Sequence, residues 1–202
     1  LSHNKEPNES LNRHYEKYAD IKKIDKSLAK EMLFGGLRWY KKIRWIIQNT
    51  SKKDLDTVSD EVRAALILGT YQIFYMDRIP DRAAVNESVE YIRVKRQHGA
   101  LGFVNGILRS IARRAEYFAK PDKDKKPIDF LALQYSHPEW IVRRWLKRFG
   151  FEKVKLMLAA NNHVPQQTIR VQSLKVSDIQ DFRSHLLLKK EKTHSYGRPL
   201  KY

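Results

Sequence analysis

The sequence contains no cysteine among its 202 residues, which excludes structural disulfides, cysteine-ligated zinc sites and thiol nucleophiles. It also has no apolar run near the roughly 18 residues that a membrane span needs. Its first residues are polar where a signal peptide would be apolar. We therefore expect a cytoplasmic protein with no membrane partner.

Acidic residues are too few to balance the basic ones: 23 Asp and Glu stand against 40 Lys and Arg, a formal net charge of +17. Such a surplus repels itself in the folded state and tends to persist where a polyanion neutralises it. Nucleic acid is therefore the expected partner class. The alternatives are a basic surface kept for solubility alone and an anionic membrane surface, although no strongly amphipathic terminal helix or lipidation motif is present.

Motifs for catalysis and for metal or cofactor binding are also missing. No two of the seven histidines are three or four residues apart, which argues against a helical metal site. There is no G-x-S-x-G nucleophile motif. The glycines form neither G-x-G-x-x-G nor G-x-x-x-x-G-K, so a phosphate loop is disfavoured. We predict no catalytic residue, no metal and no bound cofactor in this chain.

Apolar residues at three- and four-residue steps predict helices over most of the chain. Ser59 is a predicted cap, and Gly99 and Gly150 are predicted helix stops. Gly102 and Gly106, four apart, suggest that another backbone packs closely there. The helices are expected over 24–49, 59–79, 81–97, 100–118, 136–150 and 152–160.

Changes in composition divide the chain into four parts. A helical domain is expected over 1–119, and residues 120–134, which start with a charged run between two prolines, are expected to be a linker. A helical connector is expected over 135–165, opened by a capping box of Ser136 and Glu139.

The last part, residues 166–202, is expected to be an incomplete α/β segment. A β-branched run at 168–171 predicts a strand, and a helix is predicted over 177–187. One strand cannot form a sheet alone. The sequence also begins at Leu1 rather than at methionine. We therefore expect a truncated chain that leads into a further domain.

Basic and aromatic residues interleave in the sequence, a pattern that favours nucleic-acid binding. Like charges four apart on one helix repel each other, so such a cluster favours an anionic ligand. The alternative is a solvated charged face with core tryptophans, and for the tryptophans, Trp140 and Trp145 included, we favour the core. The candidate RNA-binding residues are Arg38, Lys41, Lys42, Arg44, Arg93, Arg96, Arg109, Arg113, Arg114, Arg143, Arg144, Lys147 and Arg148.

Binding through these residues is expected to be electrostatic, with little base reading. If about 5 phosphates are neutralised, log K should fall against log salt with a slope of about −3.5 on single strands. Arg109 has a second interpretation, an ion pair with Glu87 or Glu90.

Three strings, at 26–39, 79–90 and 102–109, closely resemble the NusB-like domain at the front of the RsmB (Sun, Fmu) family of 16S rRNA 5-methylcytosine methyltransferases. The string at 135–140, with Arg143, Arg144 and Trp145 behind it, looks like that family's junction into its next module. The junction, and Leu108-Arg109 at the end of the third string, favour this family over the stand-alone NusB antitermination factor.

The resemblance implies a mainly α fold: an all-helical NusB-like bundle, further helices, and the start of a small RRM-like α/β segment. It implies small-subunit rRNA as a partner, and the chain's own C-terminal methyltransferase domain, with S-adenosylmethionine, as a second one. The family's reaction uses a cysteine thiolate that attacks C6 of cytosine, so that C5 becomes nucleophilic toward the methyl donor. This chain, without cysteine, would bind RNA and not catalyse.

In stand-alone NusB proteins the early helices engage RNA, so the resemblance makes Arg38, Lys41, Lys42 and Arg44 the first candidates. Two alternatives remain open. One is a free-standing NusB-like antitermination factor that binds RNA and regulates transcription. The other is a protein-interaction adaptor whose charge is incidental.

Overall fold

The structure, a computed structural model, describes residues 6–18, 20–114 and 121–163, except for the side chain of Arg114. These ranges contain nine α-helices, two short 3₁₀ turns and no strand. None of these helices combines the length and the apolarity that a bilayer crossing requires. The predicted α/β segment at 166–202 lies outside the described residues. The helices are α1 (Pro7–Lys17), α2 (Lys23–Arg38), α3 (Tyr40–Thr50), α4 (Asp60–Tyr75), α5 (Asp81–Val94), α6 (Leu101–Arg114), α7 (Pro127–Gln134), α8 (Glu139–Phe149) and α9 (Phe151–Asn162).

The long apolar face predicted over 24–49 is divided between two helices. Trp39 separates α2 from α3, with φ −97° and ψ 10°. Its ring stacks on that of Tyr75, with 4.6 Å between the centroids. The single-helix prediction is wrong here because an interruption of one residue leaves the three- and four-residue spacing intact.

Helix α4 lies at the centre of a bundle formed with α2, α3, α5 and α6. The Ser59 hydroxyl accepts a hydrogen bond from the Val62 N–H at 3.4 Å, which confirms the predicted cap. Burial of one large aliphatic side chain stabilises a fold by about 1.5–3 kcal/mol, so this core is a main source of stability. Its fully buried side chains include Ile43, Ile47, Leu66, Ile92, Val104, Leu108 and Ile111.

Close packing in the bundle occurs at Gly35 and Gly69. A Cβ atom at Gly35 would lie 2.0 Å from the ring of Tyr71, and one at Gly69 would lie 2.6 Å from a side-chain oxygen. At Gly102 and Gly106 a Cβ atom would meet nothing within 4 Å. The close contact predicted at Gly102 and Gly106 is therefore wrong, because both glycines face open space.

Helix α5 ends at Val94, and its stop is not Gly99 as predicted. Arg96 has φ 57°, in the left-handed region that favours glycine. The Gln97 N–H donates to the Ile92 carbonyl at 3.1 Å, the long hydrogen bond of a Schellman helix end. An arginine therefore occupies the position where such a helix end usually has glycine.

Residues 127–134, inside the predicted linker, form helix α7. Pro127 begins this helix, as proline can at the first helical position, where its missing N–H costs nothing. The predicted linker is therefore too long, and its described non-helical part is 121–126. Helices α7, α8 and α9 share a second core of fully buried side chains: Leu131, Ala132, Val142, Val154 and Leu158.

Candidate nucleic-acid interface

Helix α8 is fixed to the bundle through two side chains at its start. The Ser136 hydroxyl accepts hydrogen bonds from the backbone N–H groups of Lys41 at 3.1 Å and Lys42 at 3.3 Å. The Glu139 carboxylate accepts one from the Lys41 ammonium at 2.9 Å. The predicted capping box is therefore wrong: Pro138 is the N-cap of α8, and Ser136 caps α3 instead.

The backbone between α7 and α8 is also tightly held. Ser136 has φ 56°, and the His137 N–H donates to the Ala132 carbonyl at 2.9 Å. The carbonyl of Tyr135 accepts a hydrogen bond from the side-chain amide of Asn162 at 2.9 Å, which ties α9 to the same turn. These bonds fix which side of α8 faces away from the core.

The exposed side of α8 carries four cations, Arg143, Arg144, Lys147 and Arg148, called here the α8 cationic surface. None of the four forms an ion pair with any residue that the structure describes. The one acidic residue of α8, Glu139, is bonded to Lys41, and this hydrogen bond holds the pKa of its carboxyl below the usual range. The charge of Arg143 also lowers this pKa, whereas Arg144, Lys147 and Arg148 have no ion-pair partner among the described residues.

Trp140 lies beside these cations and not in the core. Its side chain is 64% exposed, whereas Val142 is fully buried. At 3.6 residues per turn the two positions are about 200° apart, on nearly opposite sides of the helix. The core prediction for Trp140 is therefore wrong, although Trp145 does pack, partly buried, against the second core. The helical angle between positions 140 and 142 was the signal in the sequence that could have revealed the exposure of Trp140.

A groove of about 350 Å³ runs along this side of α8. The groove is lined by Met157 of α9 and by six residues of α8: Trp140, Ile141, Arg144, Trp145, Arg148 and Phe149. The guanidinium carbon of Arg148 lies 5.3 Å from the ring centroid of Phe149, a cation–π distance. The groove therefore combines aromatic faces with positive charge.

The α3 candidates have more internal partners. Lys41 is bonded to Glu139. Arg44 donates two hydrogen bonds to the Asp56 carboxylate, one of them at 2.9 Å, and these bonds lower the pKa of Asp56.

Two further candidates, Arg38 at the end of α2 and Lys42 on α3, are half-buried. The Lys42 ammonium lies 5.4 Å from the ring centroid of Trp39. Half-burial, the aromatic contact of Lys42 and the ion pairs of Lys41 and Arg44 make these cations weaker candidates for RNA contact than the α8 cationic surface.

The remaining candidates, on α5 and α6, do not form one cluster. Arg93 pairs with Glu90 on its own helix. Arg109 is exposed and forms no ion pair with a described residue, so its alternative interpretation as the partner of Glu87 or Glu90 is wrong.

Arg96 and Arg113 are exposed, but most of the length of helix α6 separates them. Arg96 precedes the start of α6 at Leu101, whereas Arg113 lies about 18 Å along that helix from the same point. The side chain of Arg114 lies outside the described residues.

Chemically, the described residues offer a binding surface. No group of three histidine or acidic side chains among them is placed to hold a metal ion. They also contain no strand, so the strand, glycine-rich turn and helix that cradle a nucleotide-like cofactor are not found in this part of the chain.

Two family models match the sequence. Residues 2–113 match the NusB family, and residues 137–189 match the Methyltr_RsmF/B-like, ferredoxin-like domain. "Probable ribosomal RNA small subunit methyltransferase B" of Bacillus subtilis is 34% identical over 151 residues, 75% of this chain and 33% of that protein. The protein of the same name from a Synechocystis species is 28% identical over 175 residues, 87% of this chain and 39% of its own length. "Ribosomal RNA small subunit methyltransferase B" of Pseudomonas putida is 30% identical over 147 residues, 73% of this chain and 32% of that protein. The chain thus spans about a third of the length of these relatives.

Proposed function

Because this chain belongs to the NusB family, we propose that it is the RNA-binding N-terminal portion of an S-adenosylmethionine-dependent rRNA (cytosine-C5) methyltransferase. The ferredoxin-like match behind the NusB segment supports this function over that of a stand-alone antitermination factor. The names of the relatives, ribosomal RNA small subunit methyltransferase B, support small-subunit rRNA as the RNA. The methyltransferase domain, in this proposal, belongs to the two thirds of such proteins that the chain does not cover.

The α8 cationic surface is the observation that carries the RNA-binding role. Its four cations follow one another within two helical turns, are exposed, and form no ion pair with a described residue. Like charges four apart cost a helix about 0.2–0.5 kcal/mol per pair, and a bound phosphate relieves that cost. Arginine also binds phosphate oxygens in a bidentate manner.

Catalysis has no place in this part of the proposed enzyme. The chain has no cysteine to attack cytosine, and the described residues contain no strand on which a Rossmann-type cofactor site could be built. We therefore assign no catalytic step to its residues. The cytoplasmic location expected from the sequence remains part of the proposal.

A salt titration of RNA binding tests the proposal. Anisotropy of labelled small-subunit rRNA fragments would be measured for the wild type and for Arg144→Gln combined with Arg148→Gln. Each phosphate contact on a single strand contributes about 0.7 to the slope of log K against log salt, so the double variant should lose about 1.4.

The matched control removes two charges from the exposed loop before α7, through Lys123→Gln with Lys125→Gln. It should leave the slope near the wild-type value. Two results would overturn the proposal: no RNA binding by the wild type at low ionic strength, or an α8 variant whose slope equals that of the control.

A further inference from the structure

Trp140 presents most of an indole ring to solvent at the edge of the groove on α8. Indole is the largest aromatic side chain, and exposing it forfeits the apolar burial that the other three tryptophans, Trp39, Trp45 and Trp145, obtain in part by packing against the two cores. Val142, two residues on, is fully buried, so the same helix does have a core-facing side.

Arg144 and Arg148 line the same groove as Trp140, one and two turns further along α8. The groove therefore places a flat aromatic face next to a row of cations that have no carboxylate partner among the described residues. An apolar peptide in this groove would have to desolvate both guanidinium groups without neutralising them, at a considerable energetic cost. A ligand with flat rings and regular negative charge fits both features.

We infer that Trp140 is a base-stacking platform, so that the α8 cationic surface binds single-stranded RNA in preference to duplex RNA. This inference rests on the proposed RNA-binding function and specifies its substrate class. In a duplex the bases stack on one another, so a side chain cannot reach their faces, whereas unpaired bases can stack on an aromatic side chain. Phosphates that follow the stacked base would meet Arg144 and Arg148.

Binding of two RNA probes by the whole chain tests this inference. The first probe is a single-stranded RNA of about 12 nucleotides, and the second is the same sequence annealed to its complement. Trp140→Ala should weaken single-strand binding by roughly 5- to 100-fold and leave duplex binding unchanged. Trp140→Phe retains a ring and should recover most of the affinity.

Leu156→Ala is the control, because Leu156 is 69% exposed on α9 and does not line the groove. It should change the binding of neither probe. Tryptophan emission supplies a second readout: single-stranded RNA should quench it in the wild type, and Trp140→Phe should lose most of that quenching.

The possible results separate the two proposals. If the wild type binds RNA and Trp140→Ala binds the single strand as tightly as the wild type does, the stacking inference fails and the proposed function stands. Equal weakening of both probes by Trp140→Ala also overturns stacking. A wild type that binds neither probe overturns the proposed function, and the inference falls with it.

Discussion

The hydroxyl oxygen of Ser136 lies 3.1 Å from the backbone nitrogen of Lys41, a hydrogen bond between residues 95 positions apart in the chain. Lys41 belongs to the segment that matches the NusB family, and Ser136 immediately precedes the segment that matches the ferredoxin-like domain. The start of α8 is thus bonded directly to the start of α3. The direction in which the α8 cationic surface faces is therefore set by the helical bundle.

Replacing Ser136 should weaken the fold through this cap. Ser136→Ala leaves two part-buried N–H groups without their acceptor and should lower the free energy of unfolding by about 1 kcal/mol. Ser136→Gly loses the same acceptor but relieves the φ of 56°, so its loss should be smaller. Urea unfolding followed by tryptophan fluorescence measures both.

Ser27→Ala is the control for Ser136, because the exposed Ser27 hydroxyl bonds only a carbonyl of its own helix. An unfolding midpoint for Ser136→Ala equal to that of Ser27→Ala would contradict the cap.

The ion pair between Glu139 and Lys41 should make part of the stability depend on pH. Lys41 lowers the pKa of Glu139, so the pair contributes above the ordinary carboxyl pKa and is lost as the pH falls through the lowered value. Glu139→Gln should be less stable than the wild type at neutral pH, by less than about 1 kcal/mol because the pair is exposed. The two proteins should converge as the pH falls from neutral through the lowered pKa of Glu139.

The measurement is urea unfolding across that pH range. Glu152→Gln, which removes the looser 3.9 Å pair with Lys155, serves as the control. A Glu139→Gln difference that persists unchanged in acid would show that the effect is not the ion pair.

Two glycine substitutions should have opposite effects on stability. Gly35→Ala places a Cβ atom 2.0 Å from the ring of Tyr71, which must then move, at a cost of about 3 kcal/mol. Gly102→Ala meets nothing within 4 Å and should stabilise helix α6 by up to about 1 kcal/mol. Thermal unfolding of both variants checks the pair, and a stable Gly35→Ala protein would contradict the close packing of α2 on α4.

Arg96→Gly should stabilise the end of α5. Glycine adopts the φ of 57° without the steric cost that a side chain incurs, so we expect a gain of about 1 kcal/mol. Arg96→Ala removes the same charge but keeps a Cβ atom, and it should gain nothing. If the two variants unfold at the same denaturant concentration, the left-handed conformation is not the cause.

Alkaline conditions should destabilise the bundle through Tyr71 and Tyr75. Burial raises the pKa of both hydroxyls, and for Tyr71 the hydrogen bond to Glu31 raises it further. The folded state therefore keeps protons that the unfolded state loses near pH 10, so this stability is complete below about pH 10 and declines above it.

Tyr71→Phe removes one of the two groups, and its stability should fall less than that of the wild type between about pH 9 and pH 11. Urea midpoints at both pH values measure this difference. Parallel declines for the two proteins would contradict the role of Tyr71.

Much of the fold could be predicted from the sequence because its signals are local. The Ser59 cap and the stop at Gly150 each depend on residues within one or two turns, and both are confirmed. The break at Trp39 was missed because it leaves the periodicity intact. The role of Ser136 was assigned wrongly because its partners lie in a distant part of the sequence.

In the candidate site, too, local features could be predicted and partners distant in the sequence could not. Arg143, Arg144, Lys147 and Arg148 share one helix, so their clustering is visible in the sequence. The partner of Lys41 is 98 residues away, and no local pattern distinguishes this lysine from an unpaired one. RNA contact by any of these residues stays a prediction until it is measured.

The hydrogen bonds between Ser136 and the start of α3 restrict the choice of residue more at position 136 than at positions 41 and 42. On the bundle side the bonded groups are main-chain N–H groups, which every residue except proline supplies at positions 41 and 42. On the other side a short side chain must carry an oxygen and also accept a left-handed backbone. Substitutions at positions 41 and 42 can therefore change the surface charge without removing the cap, whereas position 136 tolerates few replacements.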